Sequence, residues 1–340
     1  MSEASQRGPI LGGIVGVWDG MNFVRRLILN LLFFTLLLIV LAIALGSRSG
    51  SLTPLDERTT LVIAPEAELV EQYRSDPVTR ALTQSMGQTV GELQLRDLLR
   101  ALEAARTDKR IERVVLRTDA MMFSGYASIR EVAKAVAALR ASGKQVVAFG
   151  ESFGQAQYFL AAQADEVFLD PEGMIEMTGL GRYRQYYREG LQDKLDVDVH
   201  LFKVGEYKSA AEPYILDAAS PESKEADLFW MNDIWQRYLG DVAALRKTTP
   251  EALLAGIETL PEGVTAVQGD TARYAVQQKL VDGLKTREEF EALLLERGVA
   301  DEDAEGGFRQ VSLDDYLRHV DSALSPMDPR PQGAVVGAEG

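Results

Sequence analysis

Gln145-Val146-Val147-Ala148-Phe149, then Gln155 to Gln163, then Glu166-Val167-Phe168-Leu169 is the stretch whose reading decides the fold. The outer pieces are short apolar runs of strand character, and the piece between them is helical. The pattern repeats upstream. Leu61-Val62-Ile63 and Arg113-Val114-Val115-Leu116 read as strands. Gln94 to Arg106 places Leu95, Leu98, Leu99 and Leu102 at helical spacing, and Ser128 to Arg140 does the same with Ile129, Val132, Ala133, Val136 and Leu139. Ser142-Gly143 then stops that helix before the strand at Gln145. Strand and helix alternate at roughly 30 residues per unit, which predicts an α/β fold with a parallel sheet covered by helices. From about Pro221 to Leu295 the pattern turns mostly helical, with apolar faces in Leu228 to Leu245 and Glu288 to Leu295.

The chain has 340 residues, 46% of them hydrophobic and 26% charged, the make-up of a folded protein long enough for more than one average domain. A net charge of −15 argues against nucleic acid as a partner, because that binding needs a cationic face. Cysteine is absent, so disulfides, thiolate metal sites and a cysteine nucleophile are excluded. His200 and His319 are the two histidines, too few in too ordinary a setting for a two-His zinc motif or a Ser-His-Asp arrangement. His200 lies in the alternating run Val197-Asp198-Val199-His200-Leu201, which predicts a strand with His200 at an edge or half-buried. Neither a metal nor a cofactor is expected.

Leu27 to Leu45 departs from this water-soluble character. Of the nineteen residues there only Asn30 and Thr35 are polar and none is charged, enough helix to cross a hydrocarbon core. A cleaved signal peptide is the rival reading, but the run exceeds the usual h-region and starts well inside the chain. Arg7, Arg25 and Arg26 precede it, while Arg48 and Arg58 follow amid Asp56 and Glu57. The excess of positives before the span places the N-terminus in the cytoplasm and everything after Gly46 outside it. The expected organisation is a cytoplasmic segment (1–26), an anchor (27–46), a polar linker (47–58), one folded domain (59–324), and a proline-stiffened linker leading into a further strand (325–340).

Phe202-Lys203-Val204-Gly205-Glu206-Tyr207-Lys208-Ser209-Ala210-Ala211-Glu212-Pro213 carries the chemical signal. It resembles the lysine motif of the long-form signal peptide peptidase A family, membrane-anchored bacterial serine peptidases with a Ser/Lys dyad. Gln157-Tyr158-Phe159-Leu160-Ala161, the run Ala164 to Gly173, the runs Ser220 to Asp227 and Trp235 to Leu239, Gly269 to Ala275, and Lys279 to Leu284 resemble further family segments in the right order. The resemblance implies a ClpP/crotonase-like spiral of strand-strand-helix turns. It also implies apolar peptides, left over from signal peptides, as substrates, and a homo-oligomer, a tetramer by analogy, in the bacterial inner membrane. Lys208 would be the general base and acid, which requires an amine depressed toward neutrality in an apolar site to which Tyr207, Ala210 and Ala211 contribute.

In the family's long form the lysine lies in a first domain and the serine in a second. The segment Gln332 to Gly340 looks like the opening of that second domain, so the nucleophile is expected beyond residue 340 and this chain alone is expected to be inactive. Where single-domain relatives carry Ala-Ser-Gly-Gly-Tyr, this chain aligned on Tyr158 has Gly154 at the serine's place. Ser152 is two residues early. Ser209, beside Lys208, reads as a turn or cap residue. Glu212-Pro213 either pairs with a cation or ends a turn. The loop Asp119 to Tyr126 corresponds to the family's oxyanion loop but keeps one glycine, Gly125, and reads better as a structural turn. Met121-Met122-Phe123 either line a substrate groove or pack beneath the next helix. Ser220-Pro221-Glu222 reads as a capped helix start. A non-catalytic membrane-tethered scaffold is the alternative function, and a crotonase-type acyl-CoA enzyme shares only the fold.

Overall fold

A computed structural model describes residues 9–46, 55–86, 91–123 and 125–324. These fall into two compact units. The first holds helix α1 (Pro9–Gly46) and helix α2 (Pro77–Ser85). Helix α1 contains the apolar run expected to span a membrane and continues it toward the N-terminus. Among the described residues it is the one helix long and apolar enough to cross a bilayer, over Gly16–Ala42. Asp76 caps α2, accepting from the backbone N–H of Val78 and of Thr79, each at 3.0 Å. The linker at 47–54 and the segment 325–340 lie outside the described residues.

The second unit is built from strand pairs and helices. Its strands are β1 (Thr59–Ile63), β2 (Glu68–Val70), β3 (Glu92–Gln94), β4 (Ile111–Leu116), β5 (Met122–Phe123), β6 (Gln145–Gly150), β7 (Phe153–Gly154), β8 (Glu166–Leu169), β9 (Ile175–Glu176), β10 (Gly283–Leu284) and β11 (Gln310–Ser312). Six of them form one parallel sheet in the order β10-β8-β6-β4-β1-β11. After β1 the chain adds two short strands to a second layer, β2 and β3, and after β4, β6 and β8 it adds one each; there β3-β2-β5 and β7-β9 pair in parallel. It then returns through α3 (Leu95–Thr107), α4 (Tyr126–Ala141) or α5 (Gln155–Ala161). These repeated strand-strand-helix turns are the expected ClpP/crotonase-like spiral.

Alternation along the strands explains why these sequences are apolar throughout. Val114, Leu116, Val146, Ala148 and Val167 point to one face, where Leu98, Leu102, Val132, Val136 and Leu139 of α3 and α4 meet them. Val115, Val147, Phe149 and Phe168 point to the other, against Phe290 and Leu294 of α11 (Arg287–Arg297) and Phe308. Phe149 stacks on Phe290 with ring centroids 4.8 Å apart. A sheet covered on both faces has no polar side to display. Its one buried cation is satisfied in part. Arg113 donates to Gln145 Oε1 (2.6 Å) and to the Arg297 carbonyl (3.1 Å), while Arg297 pairs with Glu166 on β8. Burial pulls the Arg113 guanidinium below its ordinary value.

The remaining helices are α6 (Glu212–Ile215), α7 (Pro221–Leu245), α8 (Pro250–Glu258), α9 (Leu260–Ala266), α10 (Thr271–Gln277) and α12 (Leu313–Leu324). Ser220 caps α7 as its sequence suggests, accepting from Ser223 N–H at 3.1 Å. The strand expected over Val197 to Leu201 is not formed. No residue from Thr178 to Ala211 is buried, and one π-helical turn, Glu189–Lys194, interrupts otherwise irregular backbone. An alternating sequence becomes a strand only where a neighbour offers its backbone, and none does here. His200, expected at a half-buried edge, is exposed for the same reason.

Candidate active site

Lys208 lies on the exposed face of this irregular segment. Gly205 starts the turn that delivers it, at φ 99°, a left-handed conformation that favours glycine, and Lys208 N–H donates to the Gly205 carbonyl at 3.4 Å. Among the described residues the Lys208 amine makes neither a hydrogen bond nor an ion pair. Tyr207 and Ala210 are exposed as well, so the dry setting expected around the amine is absent from the described residues. The exposure has a plain physical cause. The segment's large apolar groups, Phe202 at 97% exposure and Val204 at 84%, have nothing in the described chain to pack against. The hydroxyl of Tyr207 donates to Glu225 (3.2 Å), and that bond with the carboxylate's charge raises the phenol above its ordinary value.

Several contacts order the segment and tie it to its neighbours, among them Arg182 to Asp227 at 2.6 Å. Arg184 donates from Nη1 to the Ser209 carbonyl (3.2 Å) and hydroxyl (3.4 Å), which gives Ser209 the turn role read from its sequence. Gln155, at the start of α5, pairs through its side chain with both backbone groups of Gly179 (2.9 and 3.1 Å), extending the β7–β9 ladder by one step. Glu212 is buried and accepts from Ser220, so it neither pairs with a cation nor merely ends a turn. Sequence spacing gave no sign of the Gln155 or Glu212 contacts. Both depend on where the chain returns after a long irregular excursion.

Gly154 closes β7 and caps α5, whose first turn would present a side chain at the helix's positive end. A Cβ there would lie 2.6 Å from Gln157 Oε1. Gln157 is itself engaged, donating from Nε2 to the Met121 carbonyl at 2.8 Å. Gln157 would therefore have to shift before position 154 could carry a side chain. Ser152 accepts from the Met174 N–H at 3.2 Å and belongs to the β7–β9 connection. Tyr158, on which the comparison is aligned, is fully buried and donates to the Leu280 carbonyl at 2.6 Å. Its burial raises the phenol well above the usual range.

The loop before α4 divides. Met121 is buried in the core, whereas Met122 is exposed and joins Phe123 in β5 beside β2. Gly125 caps α4 with φ −173° and ψ 157°, extended backbone open to any residue, and a Cβ there would touch nothing. Neither conformation nor space requires glycine at this position. Tyr126 follows it; burial, with the Asp241 carboxylate second, pushes its hydroxyl up to about 12, so it is no base near neutrality. No cluster of three His or acidic residues with metal-ligand geometry occurs among the described residues.

Residues 138–297 match the model of Peptidase family S49. Over 97% of its length the chain is 35% identical to Protease 4 of Salmonella typhi, and over 95% it is 28% identical to Protease 4 of Haemophilus influenzae. The chain spans about half the length of these curated relatives, 53% and 52%. Among solved structures, a membrane-bound stomatin-specific protease aligns over 76% of this chain and 93% of its own at 11% identity, with a TM-score of 0.34.

Proposed function

Proceeding from a signal peptide peptidase A-like chain with a family S49 serine-peptidase region, we propose that residues 59–324 are the lysine-bearing domain of a Ser/Lys endopeptidase. Lys208 acts as general base, taking the proton from a serine hydroxyl as its oxygen attacks the scissile carbonyl. The resulting ammonium returns that proton to the departing amine. The observation that supports this reading is Lys208 on a turn started by glycine, its amine without a partner among the described residues, within the region that matches the family. The serine is supplied from outside residues 1–340, because Gly154 and Gln157 occupy its position here, and the relatives' additional length leaves room for a domain that brings it. Docking of that domain over Phe202, Val204 and Tyr207 dries the amine, which is what a neutral lysine needs near pH 7.

The substrates proposed are apolar peptides left from signal peptides. The protein is anchored through residues 27–46 with its N-terminus in the cytoplasm, and assembles as a homo-oligomer, a tetramer by family analogy. Gly125 has no catalytic part. The test is turnover of an apolar signal-peptide substrate by the full-length membrane protein. Lys208→Ala and Lys208→Arg should each lose about three orders of magnitude or more while the fold is kept, since a guanidinium stays protonated. Substantial activity in Lys208→Arg would move the base elsewhere. The 340-residue chain alone should show only background hydrolysis, and labelling of Ser152 or Ser209 by a serine-directed phosphonate would misplace the chemistry.

A further inference from the structure

We propose that Glu212 is a positioning residue for Lys208, the lock that fixes the lysine-bearing turn to the start of α7; this rests on the reading of Lys208 as the base. Glu212 is 2% exposed, and it is the first buried side chain after Met177. Every residue between the two, Lys208 included, is exposed or half-buried. Burying a carboxylate is costly unless it is paired or hydrogen-bonded. No cation lies within salt-bridge distance among the described residues. Both carboxylate oxygens are instead used on one residue: Oε1 accepts from Ser220 Oγ–H at 2.6 Å and Oε2 from Ser220 N–H at 3.2 Å. Ser220 Oγ in turn accepts from Ser223 N–H, so the chain of bonds ends on the backbone of a helix of 25 residues. The positive end of α7 favours the negative charge placed there.

The lock works on Lys208 through short, local backbone bonds. Glu212 N–H donates to the Ser209 carbonyl at 3.2 Å, and Leu216 N–H donates to the Glu212 carbonyl at 2.8 Å. Three residues separate Glu212 from Lys208, and the chain between them makes a single turn, closed by that Glu212-to-Ser209 bond. Ser220 already caps α7 with its own hydroxyl, so the helix end does not require Glu212. What requires it is the segment in front, whose side chains offer no other buried hold.

The experiment uses the full-length protein, reading turnover and amide hydrogen exchange. Glu212→Ala should lower kcat about tenfold to a hundredfold with KM within about twofold, the scale of a misplaced catalytic group. Exchange of the amides of 205–216 should quicken while that of 145–169 stays slow. Glu212→Gln, which keeps a carbonyl acceptor for the Ser220 hydroxyl, should restore most of the kcat. Ser220→Ala combined with Glu212→Ala should lose little beyond either single change, because the two act through one bond pair. Wild-type kcat in a folded Glu212→Ala protein overturns the proposal. Should Glu212→Ala fail to fold, Ser220→Ala carries the test, and unchanged exchange at 205–216 with unchanged kcat overturns it equally. Failure of the base reading is distinct: Lys208→Arg would stay active while Glu212→Ala still loosened the segment.

Discussion

Two stretches of the same unit, 111–169 and 178–211, obey opposite rules. In the first, nearly every strand residue is buried and each helix has a matching apolar face. In the second nothing is buried, although it carries large rings such as Phe202 and Tyr183, each 97% exposed. The first stretch finds its partners within the chain. The second, which carries Lys208, makes polar contacts but buries no side chain among the described residues, so a change to its side chains should spare the fold.

The largest effect expected on that contrast comes from the core. Phe149→Ala removes a ring enclosed between sheet and α11 and should cost about 3–5 kcal/mol of stability, read as a shift in the denaturation midpoint of the 340-residue chain. A cost below about 1 kcal/mol would show that the face is less closed than its burial implies. Next comes Asp282, which accepts from Val167 N–H on β8 and pairs with Arg246 through both oxygens, at 2.8, 3.0 and 3.0 Å. Burial pushes this carboxyl up, but hydrogen bonds from Arg246 and Val167 with the Arg246 charge outweigh it, so the folded value lies below the ordinary one. A carboxyl depressed in the folded state stabilises above its unfolded value and loses that contribution as pH falls through the folded one. Asp282→Asn should cost about 1 kcal/mol at neutral pH, discounted for partial exposure, and the gap from wild type should close in acid. A gap that stays constant from neutrality to pH 3 would sink this assignment.

How much was legible beforehand follows the same division. Val114, Val115, Val146 and Val167 betray buried strands because local pattern and tertiary burial agree, and the Ser220 cap is a local rule obeyed locally. The α/β class, the apolar helix α1 and the family resemblance were therefore readable. The run at 197–201 misleads by the same logic. Its alternation is real, but the partner that would make it a strand is not within the described residues. Glu212 was invisible because its meaning depends on Ser220 lying beside it in space, and Gln155 because a side chain there does the work of a strand residue. Short second-layer strands such as β7 and β9, of two residues each, fall below any periodicity that could be counted.

The smallest effect expected is the most discriminating. Phe202→Ser and Val204→Ser remove large apolar groups, and in the core such changes would cost several kcal/mol. Here each should leave the stability of the 340-residue chain within about 0.5 kcal/mol, because groups already in water lose no burial on truncation. The unfolded chain exposes these side chains too, so the difference between states barely changes. Thermal or urea denaturation of the two variants beside Phe149→Ala makes the comparison in a single experiment. A loss above about 1.5 kcal/mol for Phe202→Ser would mean that the segment packs against its own chain in solution. Near-zero change, with turnover of the full-length protein reduced, would instead locate the value of Phe202 and Val204 in contacts made outside the described residues.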